Sequence, residues 1–454
     1  MATKTRARRR RRRPAAEGDA TPSRRGGEHA ARPEGEETDG DEAGKGAIFL
    51  PPDLADGVVR HLGALESARF AAVCRSWAAI VSRKLADPAP HLLAFQPARA
   101  HRRGVIIPVP LDGGDAAARR RASPTPALSL RRVTHETQCV GATATGRLVL
   151  VSGLRTTLLN PLTGASRRIK KFSGYSTHRQ RWVYWQRRQT VPVVPIGGDS
   201  FFHVGVEEVG IWRAEDNEWT VRRADYADSV LMAVLCGDSV YALGYQGFVL
   251  RIALPTLQAT RLAVPSLRDK NHTALDGSLS NGYLVEAGGE VFFVWPLFST
   301  TEAKHDKDYV VTAHYCRRGD QGRHGDFVVK LVRSKVDDEV VTTLRGFEVY
   351  RVDMAEMRWV EQEGLPGDVA LFVSRWSSFP VRASEKGCVS NCVYFVCDEG
   401  EGNTWGAFSL GERRMLFEHA IGPGSYKERL WFYPRTRDPG LDDLERRLEE
   451  IGYL

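Results

Sequence analysis

GDSVYALGYQGFVLRIAL (Gly237–Leu254) sets the reading of this chain. It opens on a Gly-Asp turn, runs through an apolar segment with a tyrosine, turns again, and closes on a second apolar run. β-Branched and aromatic runs bounded by Gly, Asp and Asn read as paired strands. The same pattern recurs on both sides, in GRLVLVSGLRTTLLNPLTG (Gly146–Gly164), GDSFFHVGVEEVGIWRAEDNEWTV (Gly198–Val221) and GGEVFFVWPL (Gly288–Leu297). It continues in FEVYRVDMAEMRWVEQ (Phe347–Gln362) and NCVYFVCDEGEGNTWGAFSL (Asn391–Leu410). The turn glycines Gly146, Gly198, Gly237 and Gly289 lie 52, 39 and 52 residues apart. Repeats of about 40–50 residues with roughly four strands each have the period of propeller blades. Residues 91–437 are therefore expected to form a degenerate β-propeller of six or seven blades, and the chain is expected to be mainly β. Radial closure suits the pattern because it leaves few exposed strand edges. A single two-sheet sandwich seldom needs over about 300 residues.

Outward from the propeller the pattern changes twice. Residues 438–454, DPGLDDLERRLEEIGYL, place Leu441, Leu444, Leu448 and Ile451 at helical spacing behind Asp438-Pro439, which predicts an amphipathic C-terminal helix. Residues 47–90 also read as helical: Leu54, Val58 and Leu62, then Phe70, Val73, Cys74 and Trp77, each fall on one helix face. Asp53 is the expected N-cap of the first helix and Gly63 its stop. Asp87-Pro88 closes the unit, because a residue before proline avoids the helical region. Residues 1–46 lack aromatic and large aliphatic side chains, cannot bury enough apolar surface to offset chain entropy, and are expected to be disordered.

Charge is concentrated in that tail. Lys4, Arg6 and Arg8–Arg13 put eight positive charges in the first thirteen residues, whereas residues 14–46 carry a net of −5. The tail thus holds +3 of the chain's formal +8, and the remainder is too dilute to mark a nucleic-acid-binding face on the body. The run Arg8, Arg9, Arg10, Arg11, Arg12, Arg13 has three readings. A nuclear import signal comes first. Salt-dependent contact with nucleic acid through the tail alone comes second, and a solvated charge block third. The expected location is nucleus and/or cytoplasm, since no secretory signal or membrane-spanning run is visible.

Chemistry-bearing motifs are scarce. The sequence holds no Gly-x-Ser-x-Gly, His-Glu-x-x-His, phosphate loop or dinucleotide fingerprint, so no catalytic residue and no cofactor are expected. Cys388, Cys392 and Cys397 cluster at gaps unlike paired zinc ligands and read as buried reduced thiols in strands. Tryptophans spread through the repeats read as core between blades. RWVYWQRRQTVP (Arg181–Pro192) is the exception. Trp182, Tyr184 and Trp185 among arginines have the composition of interface anchors, set against a plain strand with a snorkelling basic face.

LPPDLADGVVRHL (Leu50–Leu62) and ESARFAAVCRSWAAI (Glu66–Ile80) resemble an F-box, with its Leu-Pro start, spaced aliphatic helix and Val-Cys-Arg-x-Trp ending. LLNPLTG, CGDSVYAL, FEVYRVDMAEMRWVEQEGLPGDVALFV and GCVSNCVYF are similar to the KIB-type β-propeller that follows the F-box in a large plant family. The resemblance implies a non-catalytic substrate receptor of a cullin–RING ubiquitin ligase: a three-helix F-box docked on a Skp-type adaptor, through it a cullin, and a propeller holding a protein target. It assigns Leu50, Pro51, Leu54, Val58 and Val59 to the adaptor face, and Leu62, Phe70, Val73, Cys74 and Trp77 to mixed core and contact. Ala55 and Ala68 stand where the family has larger aliphatics. The rival reading is a scaffold or interaction protein without ligase function, its Arg tail touching nucleic acid.

Overall fold

The computed structural model describes residues 51–435 apart from 63, 74, 85–87, 97–102, 108–124, 127–136, 153–154, 170–192, 205–207, 225–229, 245–246, 268–280, 304–308, 318–326, 336–338, 398–403 and 422–427. The tail with Arg8–Arg13, and also Leu50, Cys74, Trp182, Tyr184, Trp185 and the expected helix over 438–454, lie outside the described residues.

Three helices come first: α1 (Pro52–His61), α2 (Ala64–Ala71) and α3 (Arg75–Lys84). Strands β1 (His91–Gln96), β2 (Arg103–Ile107) and β3 (Thr125–Pro126) begin the first blade. β4 (Gln138–Ala142), β5 (Leu148–Ser152), β6 (Arg155–Leu159) and β7 (Ser166–Ile169) form the second. β8 (Val194–Gly197), β9 (Ser200–Val204), β10 (Glu208–Arg213) and β11 (Glu218–Arg223) form the third. β12 (Val230–Cys236), β13 (Ser239–Gly244), β14 (Val249–Ala253) and β15 (Gln258–Arg261) form the fourth. The fifth contains β16 (Tyr283–Ala287) and β17 (Glu290–Ala303), then leaves the sheet for a separate two-stranded ribbon, β18 (Tyr309–Arg317) and β19 (Phe327–Lys335). It returns through β20 (Glu339–Asp353) and β21 (Arg358–Gln362). The sixth blade has five strands in the order β23-β22-β24-β25-β26, from β22 (Val369–Val373), β23 (Phe379–Arg382), β24 (Cys392–Val396), β25 (Thr404–Ser409) and β26 (Arg414–Ala420). β22 pairs parallel to β24, with helix α4 (Ala383–Lys386) in the connection. β27 (Glu428–Phe432) then pairs antiparallel with β1, so the last strand completes the first blade.

Six blades are thus present, at the lower end of the six or seven expected. Gly146, Gly198, Gly237 and Gly289 occupy the same position in successive blades, the hairpin from the innermost strand to its neighbour, all with positive φ. Gly146 has a second constraint: a Cβ there would stand 1.9 Å from the Tyr433 carbonyl oxygen, where the chain leaves the closing strand.

Six apolar clusters lie one between each pair of neighbouring blades. Period-two alternation feeds them: Leu92 and Ala94 enter the cluster shared with the sixth blade, Leu93 and Phe95 the one shared with the second. Middle strands such as β9 and β24 are buried along their whole length, being covered on both faces. Outer strands such as β11 and β15 are polar and open to solvent. Trp212, Trp295, Trp359, Trp376, Trp405 and Trp431 are buried in the blades. Burial raises the Cys388 and Cys392 thiols to about 11.

Side chains of the closing strand fasten the ring. Trp431 Nε1 donates to the Val373 carbonyl (3.1 Å) and Trp431 N to Ser374 Oγ (3.3 Å), while Arg429 donates to the Cys397 carbonyl. Asn160 Nδ2 donates to the Arg435 carbonyl (2.9 Å) from the second blade.

Candidate functional site

Pro51 N-caps α1 and Pro52 is its first residue, a position where the missing N–H costs nothing and the ring presets φ. The helix therefore starts ahead of Asp53, which is not the cap. It ends at His61, with Leu62 as C-cap donating its N–H to Val59. With about 100° per residue, positions 54 and 58 share one face and 55 and 59 the next. Ala55 and Val59 are buried, whereas Leu54 is 60% and Val58 43% exposed. Pro51 is exposed as well. Val59, expected on the outward face with Val58, is 2% exposed and belongs to the interior.

α2 closes through Ala72 N and Val73 N, which bond to the Arg69 and Phe70 carbonyls at 3.2 Å each. This turn leaves Val73 62% exposed. Phe70 at the end of α2 and Trp77 at the start of α3 stack at 4.0 Å and 7°, both half-buried. Ile80 and Val81 of α3 are buried. Ala64 and Ala68 of α2 pack into the cluster between the first two blades, beside residues such as Phe95 and Leu148. Ser67 between them is fully buried. Small side chains at 64, 67 and 68 let the helix approach the sheet, which gives a local reason for alanine at 68.

Of the residues expected at the adaptor, the structure brings Pro51, Leu54, Val58 and Val73 outward, Leu62, Phe70 and Trp77 to intermediate positions, and Val59 inward. The arrangement offers exposed apolar area with no acid–base machinery. Burying such a set of side chains on a partner is worth about 25 cal/mol per Å² of apolar area removed from water.

The buried polar groups elsewhere fasten blades together. Arg147 Nε lies 3.2 Å from Asp199 Oδ2, and Asp199 also accepts from Thr145 and from Thr143 Oγ1 (3.3 Å). Arg147 N donates to Thr143 Oγ1 (3.2 Å). Both charges are sealed from solvent, so this pair joins the second blade to the third. His203 on β9 is fully buried, and loss of hydration lowers its pKa to about 4. No group of three or more His, Cys, Asp or Glu among the described residues could hold a metal ion. No helix among them is long and apolar enough to cross a membrane.

Fold and exposed face together define a six-bladed propeller that carries a short helical module with an outward apolar surface. The KIB1-4 β-propeller family matches residues 118–414, and the chain belongs to it. The F-box protein At2g26160 of Arabidopsis thaliana is 52% identical over 52 residues, which cover 11% of this chain and 15% of that protein. The chain therefore matches well under two thirds of that relative's length. The two findings mark a plant F-box protein with a KIB-type propeller. Among solved structures, a nidogen/laminin complex aligns at 7% identity and TM-score 0.36, covering 76% of this chain and 99% of that one. The computationally designed Ika8 protein aligns at 10% identity and TM-score 0.34, covering 76% and 96%.

Proposed function

We propose that this chain is the substrate-recognition subunit of an SCF-type cullin–RING ubiquitin ligase, with the three-helix module docking on a Skp-type adaptor and the propeller holding a protein target. The observation that carries the reading is the outward face of α1 and of the turn after α2. Leu54, Val58 and Val73 are large, apolar and open to solvent, while the module's own interior is already closed by Ala55, Val59 and Val81. In this reading the receptor is non-catalytic: it supplies proximity, and the transfer chemistry belongs to its partner enzymes. The cullin contact runs through the adaptor.

The test is calorimetric titration of the full chain with a purified Skp-type adaptor. Wild type binds, and Leu54→Asp/Val58→Asp weakens binding by at least a hundredfold, as loss of central apolar contacts does. A wild-type chain that ignores the adaptor ends the ligase reading in favour of the scaffold. Nuclear import through Arg8–Arg13 is proposed separately. Deleting residues 1–13 then lowers the nuclear share of a tagged chain, and an unchanged distribution removes it.

A further inference from the structure

A cavity of about 320 Å³ lies at the centre of the ring, with wall residues from all six blades. Its walls include Ala233 and Leu235 of β12, Tyr283 of β16, Arg375 and Phe379 from the segment around β23, and Tyr433 just after β27. We propose that this cavity is a binding site for a small aromatic molecule carrying one anionic group.

Size and surface come first. Ligand cavities start at about 300 Å³ and are lined by apolar and aromatic side chains with a few placed polar groups. This volume admits one ring system. The Phe379 and Tyr433 rings lie 4.6 Å apart at 34°. Both are half-buried, as is Tyr283, so aromatic surface is turned to the cavity. Offset or edge contacts with such rings favour an aromatic guest.

Charge sets the second requirement. Arg375 is exposed, and its guanidinium carbon sits 5.3 Å from the centroid of the Trp376 ring. The segment beneath it is braced internally. Ser374 Oγ donates to the Ser377 carbonyl (2.6 Å), Ser378 Oγ to the Ser374 carbonyl (3.1 Å), and Ser374 Oγ accepts from Trp431 N. The cation is thus carried on a preorganised support, which lowers the ordering cost of binding. The lining also holds the Glu286 carboxylate, which accepts the Gly289 N–H at 2.8 Å. Thr143 is turned to Asp199. An anionic group beside Arg375 makes the charge-assisted bond that the cavity is arranged to give.

The inference stands apart from adaptor docking. It is tested by calorimetry on the full chain with naphthalene-1-sulfonate and 1-naphthalenemethanol as probes. The sulfonate is expected to saturate one site. Ala233→Trp, which fills the cavity, lowers its affinity at least tenfold. Arg375→Gln lowers sulfonate affinity about tenfold and leaves the alcohol within about twofold. Leu54→Asp/Val58→Asp binds the sulfonate as wild type does. Thermal melts establish that each variant is folded, and Ala233→Leu replaces Ala233→Trp where the larger residue unfolds the ring. Absence of saturable binding, binding unmoved by the filling variant, equal response of the two probes to Arg375→Gln, or loss in the Leu54/Val58 variant each overturns the proposal.

Discussion

The propeller buries its largest side chains most deeply: Trp212, Trp431, Tyr394 and eight phenylalanines are under 2% exposed. In the helical module burial does not follow size: Ile80 is sealed, and Phe70 and Trp77 are half-buried. Its sealed residues include Ala55, Ser67 and Val81, while Leu54, Val58 and Val73 face solvent. The difference follows from size and closure. A ring of six blades covers both faces of every middle strand, so each aromatic finds a neighbour. A unit of three helices of ten, eight and ten residues has too little volume to enclose its large side chains. It rests Ala64 and Ala68 on the propeller and leaves Leu54, Val58 and Val73 outward. Stability should therefore reside in the ring, and contact capacity in the module.

The strongest way to break that contrast is at the closing strand. Trp431→Ala removes a fully buried ring and leaves the Val373 carbonyl without its donor. The expected loss is about 4 kcal/mol, within the range for large-to-small changes in a core. Its measure is the urea midpoint of the whole chain, and a loss under about 1 kcal/mol would deny the strand its closing role.

The next effect is pH-dependent and confined to the ring. His203 has a folded pKa of about 4 against an ordinary 6.5, because burial disfavours its charged form. The unfolded chain therefore binds the extra proton first. Stability from this group is complete above pH 6.5 and falls as the pH drops from 6.5 toward 4. The span corresponds to about 3 kcal/mol at most. His203→Leu should flatten that part of the stability–pH profile relative to wild type. Identical slopes would show that His203 does not contribute.

How much of this was legible follows from where the signals lay. The turn glycines marked the second to fifth blades directly, because a tight turn with positive φ selects glycine and those four blades share one plan. Blade number was ambiguous for a physical reason. The fifth blade carries a ribbon excursion through β18 and β19, which consumes residues that a simple period assigns to another blade. The first blade also takes a strand from the far end of the chain, and the sixth contains a parallel pair that no local repeat encodes. On the module, helical spacing found the outward residues but placed Val59 beside Val58. A rotation of one residue separates them, and the stripe alone does not say which side meets the sheet. Nor did it show that Ala68 answers to the propeller. The cavity was invisible, since its walls come from all six blades.

Trp77 tests the module itself. As full core its truncation would cost roughly 3–5 kcal/mol. The structure shows it half-buried and stacked on Phe70, which reduces the expectation to about 2 kcal/mol from partial burial and ring contact. Hydrogen exchange should quicken in α1–α3 and stay unchanged in β9 and β24. Global loosening would mean that module and ring unfold as one.

The smallest expected change sharpens the contrast most. Leu54→Asp/Val58→Asp alters only side chains already facing water, so the urea midpoint should move by no more than about 0.5 kcal/mol, as exposed substitutions do. Trp431→Ala and this pair then form a double dissociation: the first removes stability, the second removes adaptor binding with stability intact. Should the aspartates instead destabilise the chain by more than about 2 kcal/mol, Leu54 and Val58 must be packed against something in the folded monomer. The exposed face would then be part of the chain's own interior, and the division between a stable ring and a docking module would fall.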